Sequence, residues 1–141
     1  MFKDCDSLEE ITIPNTVNKV GCYAFYACEK LAKVTFEAGR TENLSIDSSI
    51  FYSNSKLTAV TIVDKITSYG RAFDGRKLEK IVIDADAENV QFNYYCFGYG
   101  DVCEDLHIYV RDNAMKEKIM KNTTIRVKPE NVIVGLPNEN A

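Results

Sequence analysis

The sequence predicts an α/β solenoid of about five short coils around one elongated core, with a helix and a strand closing its C-terminal end. Three observations predict this fold class. A phenylalanine-led unit recurs every 22 to 26 residues, each unit contains a stretch of alternating apolar and polar residues, and apolar residues take helical spacing after residue 110. Since a unit of this length cannot bury its apolar stripe alone, the units must stack on one another.

The coils are expected to start at the five recurring aromatic positions, Phe2, Phe25, Phe51, Phe73 and Phe97. In the first unit Ile11 and Ile13 alternate with polar neighbours, which is typical of a strand with one buried face. Pro14 then ends the strand. Later units repeat this pattern, so the strands are predicted to stack in parallel. The segment from Tyr23 to Cys28 predicts a helical turn between coils.

The last unit has diverged most from the first. We interpret Leu106 and Ile108 as its inward-facing pair, which places His107 in the same outward column as three threonines of the earlier strands. In this alignment Asp105 joins the neighbouring outward column, and Cys103 takes the leucine position of the unit.

The first unit, Phe-x2-Cys-x2-Leu-x2-Ile-x-Ile-Pro-x2-Val-x2-Val-Gly-x2-Ala-Phe over residues 2–25, resembles the BspA-type leucine-rich repeat family. The resemblance covers residues 2–110 and departs from the consensus at residues 44–50 and 84–96. It implies a right-handed leucine-rich-repeat solenoid with its parallel sheet on the concave side. Members of the family are mostly bacterial cell-surface or secreted proteins, several implicated in adhesion. The resemblance therefore implies recognition of a protein ligand.

The C-terminal end is predicted to cap the solenoid. Residues 1–110 are assigned to the repeats, 111–134 to the cap and 135–141 to a flexible tail. Within the cap, Arg111–Lys121 predicts an amphipathic helix with Asp112 or Asn113 as its N-cap, and Thr124–Val127 and Val132–Val134 predict short strands. The helix is expected to bury Ala114, Met115, Ile119 and Met120.

The N-terminal end shows no such change of pattern, since Phe2 already occupies the first position of a unit. We therefore expect this chain to be the C-terminal part of a longer protein, or a second copy to cover the open N-terminal coil by self-association.

Composition excludes several function classes. Seventeen basic and 21 acidic residues give a net charge of -4, which argues against nucleic acid. The longest apolar stretch, Cys22 to Cys28, is far shorter than the roughly 18 residues a membrane helix needs, so no membrane insertion is expected. A secretory signal peptide is not recognisable in this chain. From the family resemblance, the full-length protein is expected to be extracellular or on the cell surface.

The five cysteines do not form a metal-binding pattern, because no C-x2-C pair occurs and His107 is the only histidine. No metal or cofactor is expected. Cys5 and Cys28 share one repeat position. They are expected to form a ladder of small buried side chains that iodoacetamide does not label, although a disulfide between adjacent coils is conceivable.

The candidate binding residues lie on the outward face of the predicted sheet and in one aromatic cluster. No nucleophile motif surrounds His107, so the face is interpreted as a ligand surface and not as a catalytic site. The outward candidates are Glu10, Thr12, Lys33, Thr35, Thr61, Lys80 and His107. The aromatic patch consists of Tyr94, Tyr95 and Tyr99.

The sequence thus favours a non-enzymatic protein-binding module for adhesion or recognition in a bacterial surface or secreted protein. The alternative is a structural spacer or capping end of a larger surface protein, with no ligand of its own. An enzyme is the third and least favoured class.

Overall fold

The structure is a computed structural model that describes residues 4–51, 56–63, 65–68, 78–93, 105–122 and 127–137. The predicted coil starts Phe2, Phe73 and Phe97 lie outside the described residues, as does Thr124 to Arg126. Its strands and helix, in chain order, are β1 Glu10–Ile13, β2 Lys19–Val20, β3 Lys33–Phe36, β4 Leu44–Ile46, β5 Ala59–Val63, β6 Ile66–Ser68, β7 Lys80–Asp84, β8 Val90–Phe92, β9 His107–Val110, α1 Asn113–Lys121 and β10 Val132–Val134. Short 3-10 helices occupy Ala87–Asn89 and Pro129–Asn131.

The strands form two parallel sheets, one on each side of the core. A six-stranded sheet has the order β1-β3-β5-β7-β9-β10, and a four-stranded sheet has the order β2-β4-β6-β8. Each of the first four coils contributes one strand to each sheet, and β9 and β10 extend only the six-stranded sheet, so the predicted stacking of parallel strands is confirmed. The second sheet was not predicted, because strands of two or three residues such as Lys19–Val20 are too short to show an alternating pattern.

The core lies between the two sheets and follows the repeat. Alternate residues of each strand point inward, so Val34 and Phe36 of β3 face Leu44 and Ile46 of β4, and all four are fully buried. Each such side chain contributes about 1.5 to 3 kcal/mol of transfer free energy, an amount that conformational entropy largely offsets.

The recurring phenylalanines stack between coils. The rings of Phe25 and Phe51 are 5.7 Å apart and nearly parallel, at 16°. Both side chains are buried, with 1% of their surface exposed. The aromatic period seen in the sequence is therefore, at these two coils, a ladder of stacked rings within the core.

The segment from Tyr23 to Cys28 is not a helical turn, and that prediction was wrong. It contains consecutive β-turns in which the Ala24 N–H donates to the Gly21 carbonyl (3.2 Å) and the Tyr26 N–H to the Tyr23 carbonyl (3.0 Å). Tyr23 and Ala27 have positive φ values of 58° and 55°. These left-handed residues reverse the chain so that the Phe25 N–H donates across coils to the Ile50 carbonyl at 3.0 Å, which a continuous helix would prevent.

The last coil is shifted by two residues from its predicted alignment. Strand β9 pairs His107 with Lys80, Ile108 with Ile81 and Tyr109 with Val82. The inward pair is therefore Ile108 and Val110, which are fully buried, and not Leu106 and Ile108. Leu106, just before the strand, is also buried. The alternation of buried and exposed residues is therefore compatible with two registers of β9 against β7. Hydrogen bonding to β7 selects one of them.

The C-terminal cap forms as a helix and a strand. The Asp112 carboxylate accepts a hydrogen bond from the Met115 N–H at 3.0 Å, which makes Asp112 the N-cap of α1. Met115 and Ile119 are fully buried, whereas Ala114 is exposed, so the buried side of α1 is narrower than predicted. Strand β10 pairs in parallel with β9, as Val132 with Ile108 and Val134 with Val110.

Two side chains of the cap region fasten it to the preceding coil. Lys118 Nζ donates to the Ala87 carbonyl, and burial lowers the pKa of this amine. Asn122 Nδ2 donates to the Phe92 carbonyl at 3.1 Å. The helix is therefore attached to both the 3-10 helix and the end of β8, so the cap is an integral part of the stack.

Two arginines connect coils in different ways. The Arg40 side chain is 4% exposed and donates to the carbonyls of Pro14 (3.1 Å), Asn15 (3.4 Å) and Val17 in the coil before it. Arg111 is half-exposed and contacts the Asp84 carboxylate at 2.7 Å and the Asp86 carboxylate at 2.9 Å. The hydrogen bonds that the Arg111 guanidinium donates to the Asp84 carboxylate raise the pKa of Arg111.

Candidate binding surface

The side of the six-stranded sheet that faces away from the core forms a continuous surface of side chains in register. We define this outer face by two columns. The first column consists of Glu10, Lys33, Ala59, Lys80 and His107. The second consists of Thr12, Thr35, Thr61, Val82 and Tyr109. Because side chains alternate along a strand, the burial of the inward residues fixes the outward direction of these ten.

All ten side chains of the outer face are exposed or half-buried. Neighbouring members of a column are separated by the distance between strands, about 4.7 to 4.9 Å, so their side chains touch or nearly touch. The second column changes from three threonines to Val82 and then Tyr109, and Ile133 of β10 continues it. The face is therefore hydroxyl-rich over the first three strands and more apolar over the last three.

A depression of about 420 Å3 lies on this face between β7 and β9. Its lining consists of Glu79, Lys80, Asp105, His107 and Tyr109. Lys80 Nζ lies 5.7 Å from the centroid of the Tyr109 ring. At that distance the ring face attracts the ammonium, a contact worth about 0.5 to 1 kcal/mol at an exposed site, so it holds the long side chain over the aromatic ring.

A backbone carbonyl just before β9 orients the His107 ring. Its Nδ1 lies 3.0 Å from the Asp105 backbone carbonyl. Because a carbonyl oxygen can only accept, this contact places a proton on Nδ1 and leaves Nε2 as the second hydrogen-bonding position of the ring. The depression thus combines an ammonium, an imidazole, a phenol and two carboxylates, a set suited to polar recognition.

Two lysines lie in the first column of the outer face. Glu10 lies at one end, whereas Lys33 and Lys80 occupy the second and fourth strands, on either side of the small Ala59. The whole chain carries a net charge of -4. The column therefore presents two ammonium groups, with the carboxylates of Glu79 and Asp105 beside Lys80 in the depression.

The structure brings seven predicted candidates together on the outer face but changes the column of one. Glu10, Thr12, Lys33, Thr35, Thr61 and Lys80 lie in the predicted columns. His107 lies in the first column beside Lys80, and not in the threonine column. Asp105 precedes β9 instead of joining a column. The reason is the two-residue shift of the last coil.

Tyr109 was missed as a candidate, although a signal for it exists in the sequence. In His-Ile-Tyr-Val the apolar Ile108 and Val110 alternate with His107 and Tyr109, so the correct register exposes both ring side chains. The aromatic patch of Tyr94, Tyr95 and Tyr99 lies outside the described residues, so its predicted binding role stays a prediction.

The cysteine ladder is fully buried at one of its two positions. Cys28 is completely buried and Cys5 is half-buried, and neither is joined in a disulfide. The expectation that both thiols are buried is therefore wrong for Cys5, because the first coil covers Cys28 while Cys5 lies in that first coil itself. Burial raises the pKa of the Cys28 thiol. Cys22 is exposed, with its Sγ 3.7 Å from Ser48 Oγ.

In the described part of the chain, no group of three or more His, Cys, Asp or Glu side chains is arranged to hold a metal ion. Among the same residues, no helix has the length and apolar character needed to cross a membrane.

The family model for the BspA type leucine rich repeat region matches residues 1–126 in six copies. The chain belongs to the BspA-type leucine-rich repeat family. This match confirms the predicted resemblance, and the parallel strands in two sheets with a C-terminal helix agree with it. No curated protein matches the chain.

Family membership indicates what domains of this kind generally do. Leucine-rich repeat domains generally mediate contacts between proteins, and this family is typically non-enzymatic and associated with bacterial surface and secreted proteins. The six matched copies extend through α1, so the family pattern includes part of the predicted cap.

Proposed function

We propose that this chain is a non-enzymatic protein-binding module of a bacterial surface or secreted protein and that its ligand lies on the outer face. The observation that supports this most directly is the register of ten outward side chains across five adjacent strands. Backbone hydrogen bonds hold these side chains on a rigid sheet, so a ligand that binds them orders few additional groups.

The charge of the outer face supports an acidic segment as ligand. Lys33 and Lys80 present two ammonium groups from the second and fourth strands of the sheet. The threonines between and beside them supply hydroxyl donors and acceptors, and Tyr109 adds a broad aromatic surface, the residue type that recognition surfaces favour. An extended peptide with carboxylates spaced along it fits such a ladder.

Charge reversal tests the proposal. The chain is immobilised and exposed to solubilised extracellular-matrix and surface proteins of host cells, and captured proteins are identified and their affinities measured. The double variant Lys33→Glu with Lys80→Glu is expected to lower the affinity for captured proteins at least tenfold, because it places carboxylates opposite an acidic ligand.

A matched control keeps the total charge change the same. Lys19 lies on the four-stranded sheet and Lys121 at the end of α1, and both are exposed. The double variant Lys19→Glu with Lys121→Glu is expected to bind as the wild type does. If nothing is captured, or if both double variants bind alike, the chain is a spacer or capping end with no ligand on this face.

A further inference from the structure

The depression between β7 and β9 places an ammonium and an imidazole side by side. Lys80 and His107 are partners in the register of the two strands, which lie about 4.7 to 4.9 Å apart. Both side chains are half-buried, and each is held by a contact within the protein. Lys80 lies over the Tyr109 ring, and the His107 ring bonds to the Asp105 carbonyl. The two nitrogen groups are therefore positioned before any ligand binds.

The hydrogen bond at Nδ1 decides what His107 can offer a ligand. Nδ1 lies 3.0 Å from the Asp105 carbonyl oxygen, which can only accept, so Nδ1 carries a proton in both charge states of the ring. In the neutral ring Nε2 therefore has a lone pair, which accepts hydrogen bonds and repels a carboxylate oxygen. In the protonated ring Nε2 carries a hydrogen. Protonation thus changes Nε2 from an acceptor into a charged donor.

Protonation of His107 also changes the charge of the depression. Among the described residues that line it, Glu79 and Asp105 carry carboxyl groups and Lys80 carries an ammonium. With a neutral histidine these groups leave a net negative charge, which disfavours an acidic ligand. With a protonated histidine the two signs balance. The change of charge and the change at Nε2 therefore act in the same direction on a ligand carboxylate.

The strand on the other side of His107 brings no described charge into the depression. The register of β10 against β9 places Asn131, the residue before β10, next to His107. Asn131 is uncharged and buried. Lys128 and Glu130 precede it and are not among the described residues that line the depression. The described charges that a ligand meets there are thus those of the β7 side and of the residues before β9.

We propose that this depression is a carboxylate-binding subsite of the outer face and that its affinity rises in mildly acidic solution. One carboxylate of an acidic protein ligand lies between the Lys80 ammonium and Nε2 of protonated His107, and both donate to it. Histidine is the side chain whose charge ordinarily changes between about pH 5 and 8, and His107 is the only histidine in the sequence. The inference rests on the proposed function, because it names the chemical group that the outer face recognises and the condition that strengthens its binding.

An acidic peptide tests the subsite. The probe is a synthetic peptide of alternating aspartate and serine, whose carboxyl groups stay ionised between about pH 5.5 and 7. Its affinity for the full chain is measured by calorimetry at both pH values and at one ionic strength. We expect binding about tenfold tighter at the lower pH, which corresponds to one added hydrogen bond between charged groups. Equal affinities at the two pH values, or no binding at either, would overturn the subsite.

Moving the histidine provides a matched control. His107→Gln keeps a polar side chain that does not titrate, so its affinity for the peptide is expected to be the same at both pH values. The double variant His107→Gln with Gln91→His has the composition of the wild type but carries its histidine on β8, where residue 91 is exposed on the other sheet. It should also bind without pH dependence. A pH dependence like that of the wild type in either variant would overturn the assignment to His107.

The ring itself can be observed without a ligand. The 15N chemical shifts of the His107 ring distinguish the two neutral tautomers, and we expect the proton of the neutral ring on Nδ1. A neutral ring with its proton on Nε2 would overturn the inference, because such a ring already donates to a carboxylate at neutral pH. The backbone signals in the same spectra show whether each variant is folded.

The subsite and the proposed function fail in different ways. A captured protein that binds Lys33→Glu with Lys80→Glu more weakly, yet binds the wild type equally at both pH values, would support the proposed function and overturn the subsite. Absence of any captured protein would overturn the proposed function, whereas the peptide and its variants decide the subsite by themselves.

Discussion

The first coil and the C-terminal cap are the two ends of the described solenoid, and they differ in how completely their apolar side chains are buried. At the C-terminal end, Met115 and Ile119 of α1 are completely buried, and β10 adds a sixth strand to the sheet. At the N-terminal end, Ile11 and Val17 are half-buried beside an open strand edge. Among the described residues, α1 therefore covers the core at the C-terminal end, whereas the first coil is covered on one side only.

The arginines near the two ends also differ, in their burial and in the groups they bind. Arg40 is buried and donates to carbonyls of the first coil, so it fastens an end that is covered on only one side. Arg111 is exposed and pairs with carboxylates of the coil before it. Buried hydrogen bonds from a charged group are costly to remove, whereas exposed ion pairs contribute little. The N-terminal end should thus depend more on its arginine than the C-terminal end does.

The largest expected difference is in thiol reactivity. Exposed Cys22 should react with iodoacetamide fastest, half-buried Cys5 more slowly, and buried Cys28 only when the coils open. With an opening free energy of several kcal/mol, Cys28 should react about a thousandfold or more slowly than Cys22. Peptide mapping by mass spectrometry assigns each rate. Similar rates for Cys5 and Cys28 would contradict the difference between the first and second coils.

Raising the pH sharpens this test. Burial raises the pKa of Cys28 above its ordinary 9.0, so the folded state keeps this thiol neutral where the unfolded chain ionises it. The stability this provides is complete below pH 9.0 and is lost as the pH rises through the folded-state pKa. Urea unfolding of Cys28→Ala should therefore depend less on alkaline pH than unfolding of the wild type. Identical pH dependence would contradict the assignment.

Shortening a buried side chain of the cap should destabilise the protein more than shortening a half-buried side chain of the first coil. Ile119→Ala removes a completely buried side chain and should lower the free energy of unfolding by about 2 to 5 kcal/mol. The matched variant Val17→Ala removes a half-buried side chain and should cost about 1 kcal/mol or less. Urea titration followed by circular dichroism measures both. Equal losses would mean that the two ends bury their cores alike.

The next largest loss of stability is expected when the donors of the buried arginine are removed. Arg40→Met keeps the apolar stem but loses the donors to the Pro14, Asn15 and Val17 carbonyls, and should cost about 2 to 4 kcal/mol. Lys65→Met is its control, because Lys65 Nζ makes an exposed 3.4 Å contact with the Thr41 carbonyl. That control should change stability by less than about 0.5 kcal/mol. The prediction fails if thermal melts shift equally in both variants.

The smallest effect is expected at the exposed ion pair. Arg111→Met should cost about 1 kcal/mol or less, and the loss should shrink at high salt because the pair with Asp84 and Asp86 is open to solvent. Lys19→Met, which breaks the 3.5 Å pair with Asp47, should be close to neutral. Denaturation at low and high salt measures both. A salt-independent loss as large as that of Arg40→Met would contradict the contrast between the two arginines.

Much of the fold was predictable because the repeat constrains it many times over. The inward pairs of the first four strands follow from alternation, and the change to helical spacing narrowed the N-cap to Asp112 or Asn113, of which the structure has Asp112. The outward candidates followed with them, since a strand with a known buried face has a known exposed one. The last strand departed from prediction because Leu106, Ile108 and Val110 are all buried, so alternation alone allowed two registers.

By itself, the sequence determined the repeat, the stacking of parallel strands and the helix that closes one end, because each depends on spacing between near neighbours. Only the tertiary structure decided the register of His107 and Tyr109, the left-handed turns at Tyr23 and Ala27, and the carbonyls that Arg40 binds. These features rest on contacts with the adjacent coil. Arg40, for example, reaches carbonyls 23 to 26 positions earlier in the chain. Local periodicity cannot specify such partners, because they are chosen when one coil settles on the next.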